Sequence, residues 1–262
     1  MHLEPIQYLL GLLSGGLVGF TLGLFGGGGS ILAVPLMVYL VGVPSPQIAI
    51  GTSALAVAAN AGANLLAHAR RGNVNWRCAA VYSVAGVAGA FVGSSVGKAI
   101  DGQKLLFLFA LLMMVVSVLM FRRRGAAGNP HSVCTMVNAP KTVGFGAATG
   151  VLSGFFGIGG GFLIVPGLIL ASGMATLQAI GSSLVAVGAF GMTTAVNYAA
   201  SGMVDWPVAL LFIAGGTGGG WLGAGLARHL SRGQQTLNRV FGAFVVVVAL
   251  YMLAHSVGLL HG

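Results

Sequence analysis

The chain has 262 residues, of which 56% are apolar and only 6% are charged, whereas about a quarter of an average soluble domain is charged. This composition excludes an ordinary water-soluble domain. The net charge of +9 comes from bases in short polar breaks between apolar runs, as the positive-inside rule predicts, and does not form a nucleic-acid-binding stripe. Helices of ~20 apolar residues span the ~30 Å hydrocarbon layer of a bilayer. We therefore predict an all-α polytopic membrane protein that contacts membrane lipid and no nucleic acid.

Five helical pieces are predicted in the first half of the chain. They are a first helix, a short apolar piece behind a glycine run and three longer segments, at about 8–25, 31–43, 47–69, 78–97 and 105–121. The corresponding pieces of the second half lie at about 142–156, 162–172, 175–200, 207–227 and 238–258. The predicted organisation is a first transmembrane repeat (1–121), a basic cytoplasmic linker (122–141) and a second transmembrane repeat (142–262).

Three motifs occur once in each half, which indicates an internal duplication. They are FGGGGSILAVP (25–35) with FGIGGGFLIVP (156–166), AIGTS (49–53) with AIGSS (179–183), and GNVNW (72–76) with GMVDW (202–206). The break at 70–77 carries three arginines, whereas its equivalent at 201–206 carries none. Because basic loops favour the cytoplasm, equivalent loops are predicted on opposite sides of the membrane, as in inverted-topology repeats with both termini outside.

An inverted repeat needs an odd number of crossings in each half. Each half therefore has either five spanning pieces or three and a re-entrant hairpin. The 13-residue piece at 31–43 would reach only ~20 Å as a helix, which favours short re-entrant helices, and both alternatives stay open. The lysines at 98–104 do not fit the charge rule, because this loop is predicted to lie outside.

The two glycine runs are the first candidate site. They are too flexible for uninterrupted helix, and in lipid such a break must be buried in protein or line a cavity. Each run precedes a short helix that we expect to begin at Pro35 or Pro166, since proline is favoured at the first helical position. Two helix N-termini would then point inward and bind an anion through bare amides and the helix dipole; alternatively, the glycines only permit close packing. The predicted substrate-binding residues here are Gly26, Gly27, Gly28, Gly29, Ser30, Gly157, Gly159, Gly160 and Gly161.

A polar stripe is the second candidate site. Ser53, Asn60, Asn64 and His68 are spaced 7, 4 and 4 residues apart, which puts them on one helical face. The equivalent places in the second half hold Ser183, Phe190, Thr194 and Tyr198, with Thr193 and Asn197 beside them. A stripe facing a central path predicts substrate contacts for Thr52, Ser53, Asn60, Asn64, Ser182, Ser183, Thr194 and Asn197, and a gating or proton-linked role for His68 and Tyr198. The alternatives are interhelical hydrogen bonds, an ordinary helix-end histidine and an interfacial tyrosine.

Other features receive no functional role. Gly89, Gly93 and Gly97 have the spacing of helix-packing glycines, Trp76 and Trp206 are typical of headgroup-level anchors, and the two cysteines are expected to be ordinary thiols. No metalloprotease, serine-hydrolase, phosphate-loop or dinucleotide motif occurs, so no catalytic residue, metal or cofactor is predicted. No Asp or Glu lies within a predicted span, which argues against a carboxylate proton relay. Coupling would then use His68, protonation of the substrate, another ion or nothing.

The chain resembles the sulfite exporter family TauE/SafE, whose halves carry G-x-GGG-x(4)-P, then A-x-G-[ST]-S, then G-x-[VI]-[DN]-W. The likeness covers almost the whole chain, and the second half, with FGIGGGFLIVP and GMVDW, is closer to that pattern than the first. This resemblance implies a carrier in the bacterial cytoplasmic (inner) membrane for sulfur-containing anions such as sulfite or organosulfonates, often in the export direction.

The leading hypothesis is a secondary carrier or uniporter that binds a small anion between the glycine runs and alternates access by rocking the repeats. A passive anion channel is the nearest alternative. An intramembrane enzyme would need a nucleophile and a base, for example Ser53 or Ser183 with His68, and a non-transporting assembly partner is the remaining alternative. The motifs leave the substrate, the direction, the coupling ion and a homo-oligomeric state open.

Overall fold

The computed structural model describes residues 5–122, 139–159, 161–229 and 234–260, and the elements in these ranges are helical. Most of the predicted linker, as well as Gly160, lies outside them. The first half contains α1 (Pro5–Phe25), a 3₁₀ helix η1 (Gly26–Leu32), the single turn α2 (Ala33–Pro35), a π-helical segment η2 (Leu36–Leu40), α3 (Pro46–Ala69), α4 (Trp76–Ala99) and α5 (Gly102–Arg122). The second half contains α6 (Ala139–Phe156), α7 (Gly161–Ser172), α8 (Thr176–Ala199), α9 (Trp206–His229) and α10 (Gln234–Leu260). The prediction of an all-helical chain is confirmed for the described residues.

Five helical stretches among the described residues are long and apolar enough to cross a membrane. They are Pro5–Leu40, Pro46–Ala69, Trp76–Ala99, Thr176–Ala199 and Trp206–Leu226. In α3 and α8, 67% of the residues in the span are buried within the protein, compared with 39–56% in the other three. These two helices therefore form the centre of a polytopic bundle.

The two glycine runs have different backbones. Gly26 and Gly157 occupy equivalent positions and both have positive φ, 65° and 67°, which ends the preceding helix. Beyond them, the first run adopts the tighter 3₁₀ geometry of η1, whereas α7 begins only at Gly161. The prediction that both short helices begin at a proline is wrong. Pro35 is the last residue of α2 and Pro166 lies inside α7, because the helical backbone resumes before each proline. In the first half a wider turn follows Pro35, with the amide of Val41 bonded to Leu36 O at 2.9 Å.

The G-x-V-[ND]-W motif ends one helix and begins the next. Gly72 and Gly202 both have φ of +70°, a conformation that glycine adopts without penalty and that terminates helices. Asn75 then caps α4 by accepting the amide of Cys78 at 3.2 Å, and Asp205 caps α9 by accepting the amide of Val208 at 3.2 Å. The motif repeats because both halves need the same tight reversal between two long helices.

Glycine stripes bring helices from different halves into close contact. α1 packs against α9, and α4 packs in the same way against α6. A Cβ atom added to Gly19 would collide with the main chain of Gly216, and one added to Gly150 would collide with the main chain of Gly86. A Cβ atom on Gly89, Gly93 or Gly97 would likewise collide with the main chain of α6, which confirms the interpretation of these three glycines as packing residues. Each half is therefore held by the other rather than by its own helices alone.

Cys78 is not the free thiol that the sequence analysis predicts. It is buried in the first turns of α4 and is disulfide-bonded, which contradicts the prediction of an ordinary thiol. Cys134, the other cysteine of the chain, lies outside the described residues.

Candidate transport site

The second glycine run opens a helix N-terminus at the centre of the bundle. Gly157 and Gly159 have φ of +67° and +64°, which reverses the chain between α6 and α7. Both glycines are buried. A Cβ atom on Gly159 would lie 3.1 Å from Val57 of α3 and 2.9 Å from Val187 of α8. The start of α7 therefore faces the crossing of the two central helices.

The electrostatics at this N-terminus favour an anion. The first amides of an α-helix have no acceptor within the helix, and the helix dipole adds partial positive charge there. The first turn of α7 contains no acidic residue. Within the described ranges the acids are Asp101 and Asp205, and each caps a different helix at its own end. The positive end of α7 is thus not neutralised by a described carboxylate.

The first glycine run is tied to the opposite half by Ser183. The main-chain amide of Gly27 donates to Ser183 Oγ at 3.2 Å, and Ser183 Oγ donates to Ile180 O at 2.7 Å. Ser30 Oγ donates back to Gly27 O at 2.8 Å. The structure therefore brings Gly27, Ser30 and Ser183 together, as the sequence predicts for a shared site. In the other half Ser53 Oγ donates to Ile50 O at 3.0 Å, and Gly157 packs against the same Ile50.

Thr52 and Ser182 are bound to the main chain of loops. Thr52 Oγ1 accepts the amide of Asp205, and Ser182 Oγ accepts the amide of Asn75, both at 2.9 Å. Each bond joins the central helix of one half to the reversal motif of the other. These partners were not predicted, although the matched [ST]-S and [ND]-W motifs carry the signal. Substrate contact by these two side chains stays a prediction.

Asn60, Asn64 and His68 lie together at the contact of α3 with α1 and α9. The Asn60 amide nitrogen donates to Phe212 O at 3.5 Å, and that of Asn64 donates to Asn60 O at 3.0 Å. His68 Nε2 lies 3.5 Å from Gly23 O. All three side chains are at most 1% exposed. The predicted stripe thus exists as a buried polar face.

The equivalent face of α8 is more apolar and packs against α4. Phe190 fills the space left by Gly86, and Tyr198 lies beside Gly51 and Gly97. The hydroxyls of Thr194 and Tyr198 are buried without a hydrogen-bond partner.

Asn197 lies apart from that face. Its amide nitrogen donates to Ser94 Oγ at 2.6 Å and Ser95 Oγ at 3.0 Å, and its Oδ1 accepts from Lys98 Nζ at 2.8 Å. Asn197 therefore belongs to a polar cluster at the ends of α4 and α8, and Lys98 Nζ of this cluster also lies 6.0 Å from the centroid of the Tyr198 ring.

A cavity of about 380 Å³ lies elsewhere, where α3 and α5 begin. Its polar lining comes from Tyr39, Gln47, Asp101, Gln103 and His255. Asp101 Oδ1 accepts the amides of Gln103 at 3.0 Å and Lys104 at 3.2 Å, so it caps α5. A carboxylate at its wall disfavours an anion in this cavity. This cavity was not predicted, because its lining comes from short loops and helix ends with no repeated motif.

The described residues include no group of three or more His, Cys, Asp or Glu side chains that could hold a metal ion. Long apolar helices, close glycine packing between two halves and a buried glycine turn at their crossing define a polytopic membrane transporter.

Comparison with known proteins agrees with this class. The family model "Sulfite exporter TauE/SafE" matches residues 11–252, and the chain belongs to this family. A probable membrane transporter protein of Xylella fastidiosa (strain 9a5c) is 57% identical over 244 residues, which cover 93% of this chain and 94% of that protein.

More distant relatives carry the same description. A probable membrane transporter protein of Haemophilus influenzae is 30% identical over 93% of this chain and 97% of its own. The probable membrane transporter protein YunE of Bacillus subtilis is 28% identical over 86% of this chain and 89% of its own. No solved structure matches the chain at a significant level.

Proposed function

We propose that this chain is a secondary carrier or uniporter that exports small anions, namely sulfite or related sulfur-containing anions and organosulfonates, across the bacterial inner membrane. The observation that carries the proposal is the start of α7, opened by the buried glycines Gly157 and Gly159 at positive φ and free of acidic residues in its first turn. Bare amides and a helix dipole bind oxyanions without a buried cation. The family description supplies the sulfur anion.

Contacts at the two ends of the bundle support inverted repeats. At one end, Lys98 Nζ in the last turn of α4 donates to Ser201 Oγ after α8 at 2.9 Å, and the loop at Asp205 bonds to Thr52 near the start of α3. At the other end, Arg71 after α3 donates to Ala224 O near the end of α9 at 3.0 Å. The segment after α3 and the equivalent segment after α8 thus lie at opposite ends of the bundle, as an inverted repeat requires.

The packing also supports alternating access by rocking of the two halves. Gly191 of α8 lies against Ala54 and Ala58 of α3, with a notional Cβ at 3.1 Å from atoms of each. Small residues at this crossing allow one central helix to move over the other without unpacking large side chains. The second helical piece of each half is short, since the 12 residues of α7 reach only ~18 Å, which supports a re-entrant element.

The arrangement does not favour the enzyme alternative. Ser53 and His68 are 15 positions apart in one helix, which separates them by ~22 Å along its axis. Ser183 directs its hydroxyl proton to Ile180 O, so no side-chain base activates it.

The test is counterflow of radiolabelled sulfite in proteoliposomes, with unlabelled sulfite, thiosulfate, organosulfonates or acetate in the lumen. Carrier function predicts saturable uptake that is accelerated by luminal sulfur anions and not by acetate. Flux that is linear with concentration and not accelerated from the opposite side would identify a passive channel instead. If correctly folded protein moves none of the sulfur anions, the substrate assignment is wrong.

The matched variants are Gly159→Ala and Gly62→Ala. Gly159 has positive φ and faces Val57 and Val187, whereas a Cβ atom on Gly62 of α3 meets nothing within 4 Å. Gly159→Ala should lower flux at least about tenfold, because a strained turn costs 1–3 kcal/mol and moves the amides. Gly62→Ala should transport like the wild type.

A further inference from the structure

One face of α3 carries three buried polar groups at four-residue spacing. Asn60, Asn64 and His68 pack against α1 and α9 and are at most 1% exposed. Each has one atom without a hydrogen-bond partner: Asn60 Oδ1, Asn64 Oδ1 and His68 Nδ1. Buried polar groups in proteins are nearly always hydrogen-bonded, so three unpaired polar atoms on one helix face indicate a binding site for a ligand.

The existing hydrogen bonds determine the chemical character of these unpaired atoms. A carbonyl oxygen only accepts, so the nitrogen sides of Asn60 and Asn64 must point to Phe212 O and Asn60 O. For the same reason, His68 Nε2 must carry a proton towards Gly23 O. In the neutral imidazole Nδ1 is then an acceptor. All three unpaired atoms are therefore acceptors.

Three aligned acceptors repel an anion and attract a proton donor or a cation. Residues four apart in a helix rise by ~6 Å, so the three groups extend over ~12 Å. A metal ion holds its oxygen ligands at ~2.3–2.6 Å and could not contact all of them. One water molecule between successive groups, at ~2.8 Å from each, fits this spacing. The spacing favours a proton with bridging water over a metal ion.

We propose that Asn60, Asn64 and His68 form the coupling-ion site of the carrier, where a proton binds at His68 Nδ1 and travels with the anion. This inference rests on the proposed anion transport. The proton comes from water bridged to Asn64 Oδ1 and converts the imidazole to an imidazolium, while Nε2 keeps its bond to Gly23 O. On the other side of the membrane the same proton returns to water.

The site adjoins the anion site. Gly23 lies three residues before the first glycine run, and η1, which this run begins, packs against α7. A positive imidazolium here raises the affinity of the nearby start of α7 for an anion, so proton and anion load together. Carried with one proton, doubly charged sulfite keeps one negative charge, and an interior-negative membrane potential then drives it outward.

Few other charges act on His68. The described side chains of α1, α3 and α9 include no Asp, Glu, Lys or Arg, and the described bases that follow His68 in the chain are Arg70 and Arg71, both exposed beyond the end of α3. Arg71 donates to Ala224 O. The other half has Thr194 and Tyr198 where α3 has Asn64 and His68, so the site occurs once and predicts one proton per cycle.

The experiment is methanesulfonate accumulation in proteoliposomes under an imposed pH gradient, since a sulfonate stays ionised and cannot carry the proton itself. The wild type should accumulate the anion in the alkaline lumen by up to about tenfold per pH unit, because one unit is a tenfold difference in proton activity. His68→Gln, which can still donate to Gly23 O, should lose this accumulation. His255→Gln, at the separate cavity, is the matched control and should accumulate like the wild type.

Two results overturn the proposal while leaving anion transport intact: counterflow without accumulation in the wild type, or full accumulation in His68→Gln. If the wild type shows no counterflow, the proposed function is contradicted instead. A substrate-free measurement then decides the proton site. In ¹⁵N-histidine NMR of protein in lipid, one Nδ1 signal that is absent from His68→Gln should change protonation state as the pH is lowered. Absence of any such signal overturns the proposal whatever the substrate.

Discussion

Thr52 Oγ1 accepts a hydrogen bond of 2.9 Å from the main-chain amide of Asp205. Ser182, the residue equivalent to Thr52, accepts one of 2.9 Å from the amide of Asn75, which is equivalent to Asp205. Next to these bonds, Gly51 and Gly181 lie directly against the main chain of Met203 and Asn73. Two matched contacts therefore fix each central helix to the reversal loop of the other half.

Removing this hydroxyl should destabilise the protein. Thr52→Val keeps the shape of the side chain but leaves the Asp205 amide without its acceptor, which should lower the free energy of unfolding by about 1–2 kcal/mol. Thr52→Ser, which keeps the hydroxyl, should retain most of the wild-type stability. The measurement is denaturant unfolding of the purified protein in detergent, with Thr217→Val as control, because Thr217 bonds only to Ala214 O of its own helix. A Thr52→Val protein of normal stability but weakened anion binding would instead favour substrate contact.

Substitution by alanine should destabilise the protein at one of two neighbouring glycines of the first run and leave its stability nearly unchanged at the other. A Cβ atom on Gly29 would collide with the main chain of Thr21 and Leu22, whereas one on Gly28 would lie 3.4 Å from Phe25 Cβ, an ordinary contact. Gly29→Ala should therefore cost at least about 2 kcal/mol of stability through overpacking, and Gly28→Ala should change it by less than about 0.5 kcal/mol. Thermal unfolding of both variants checks this, and equal stability of the two would contradict the packing of η1 on α1.

The long helices could be predicted from the sequence because hydropathy and caps act locally. The predicted segments at 47–69 and 175–200 nearly coincide with α3 (Pro46–Ala69) and α8 (Thr176–Ala199), since a glycine or polar break ends each of them. The duplication, too, could be read directly from the matched motifs. The shared face of Asn60, Asn64 and His68 followed from their spacing on a helix.

The backbone of the glycine runs could not be predicted in the same way. The runs are nearly identical in sequence, yet the first forms the 3₁₀ helix η1 and the second a turn before α7. Glycine permits both conformations, so tertiary contacts such as that of Gly27 with Ser183 decide between them. The partners of Asn197 were missed because Lys98 is 99 positions away in sequence and only the packing of α4 on α8 brings the two together.

Matched cysteine variants should report opposite sides of the membrane. Arg70 and Ala200 occupy the same position after α3 and α8 and are both exposed. In a background carrying Cys78→Ser and Cys134→Ser, an impermeant maleimide applied to whole cells should label Ala200→Cys and leave Arg70→Cys unlabelled. Arg70→Cys should react only after the membrane is permeabilised, because the basic loop is cytoplasmic under the proposed topology. Labelling of both from the same side would rule out inverted repeats.

The polar cluster of Lys98 and Asn197 should behave as one energetic unit. Lys98 Nζ donates to Asn197 O at 3.0 Å, to Asn197 Oδ1 at 2.8 Å and to Ser201 Oγ at 2.9 Å, so its charge is held by neutral acceptors rather than by a carboxylate. This explains why a lysine is tolerated in a loop predicted to lie outside. Lys98→Met and Asn197→Ala should each destabilise the protein, and the double variant should lose less than their sum by about 0.5–2 kcal/mol.

Lys104→Met combined with Asn197→Ala is the control for that cycle. Lys104 is bound at the start of α5 through its main-chain amide, which Asp101 Oδ1 accepts at 3.2 Å, and its side chain has no part in the cluster. The effects of Lys104→Met and Asn197→Ala should therefore add within about 0.3–0.5 kcal/mol. If the effects of Lys98→Met and Asn197→Ala are additive as well, the Lys98 ammonium is solvated by water rather than held by Asn197. The end of α4 would then be free to move relative to α8 during transport.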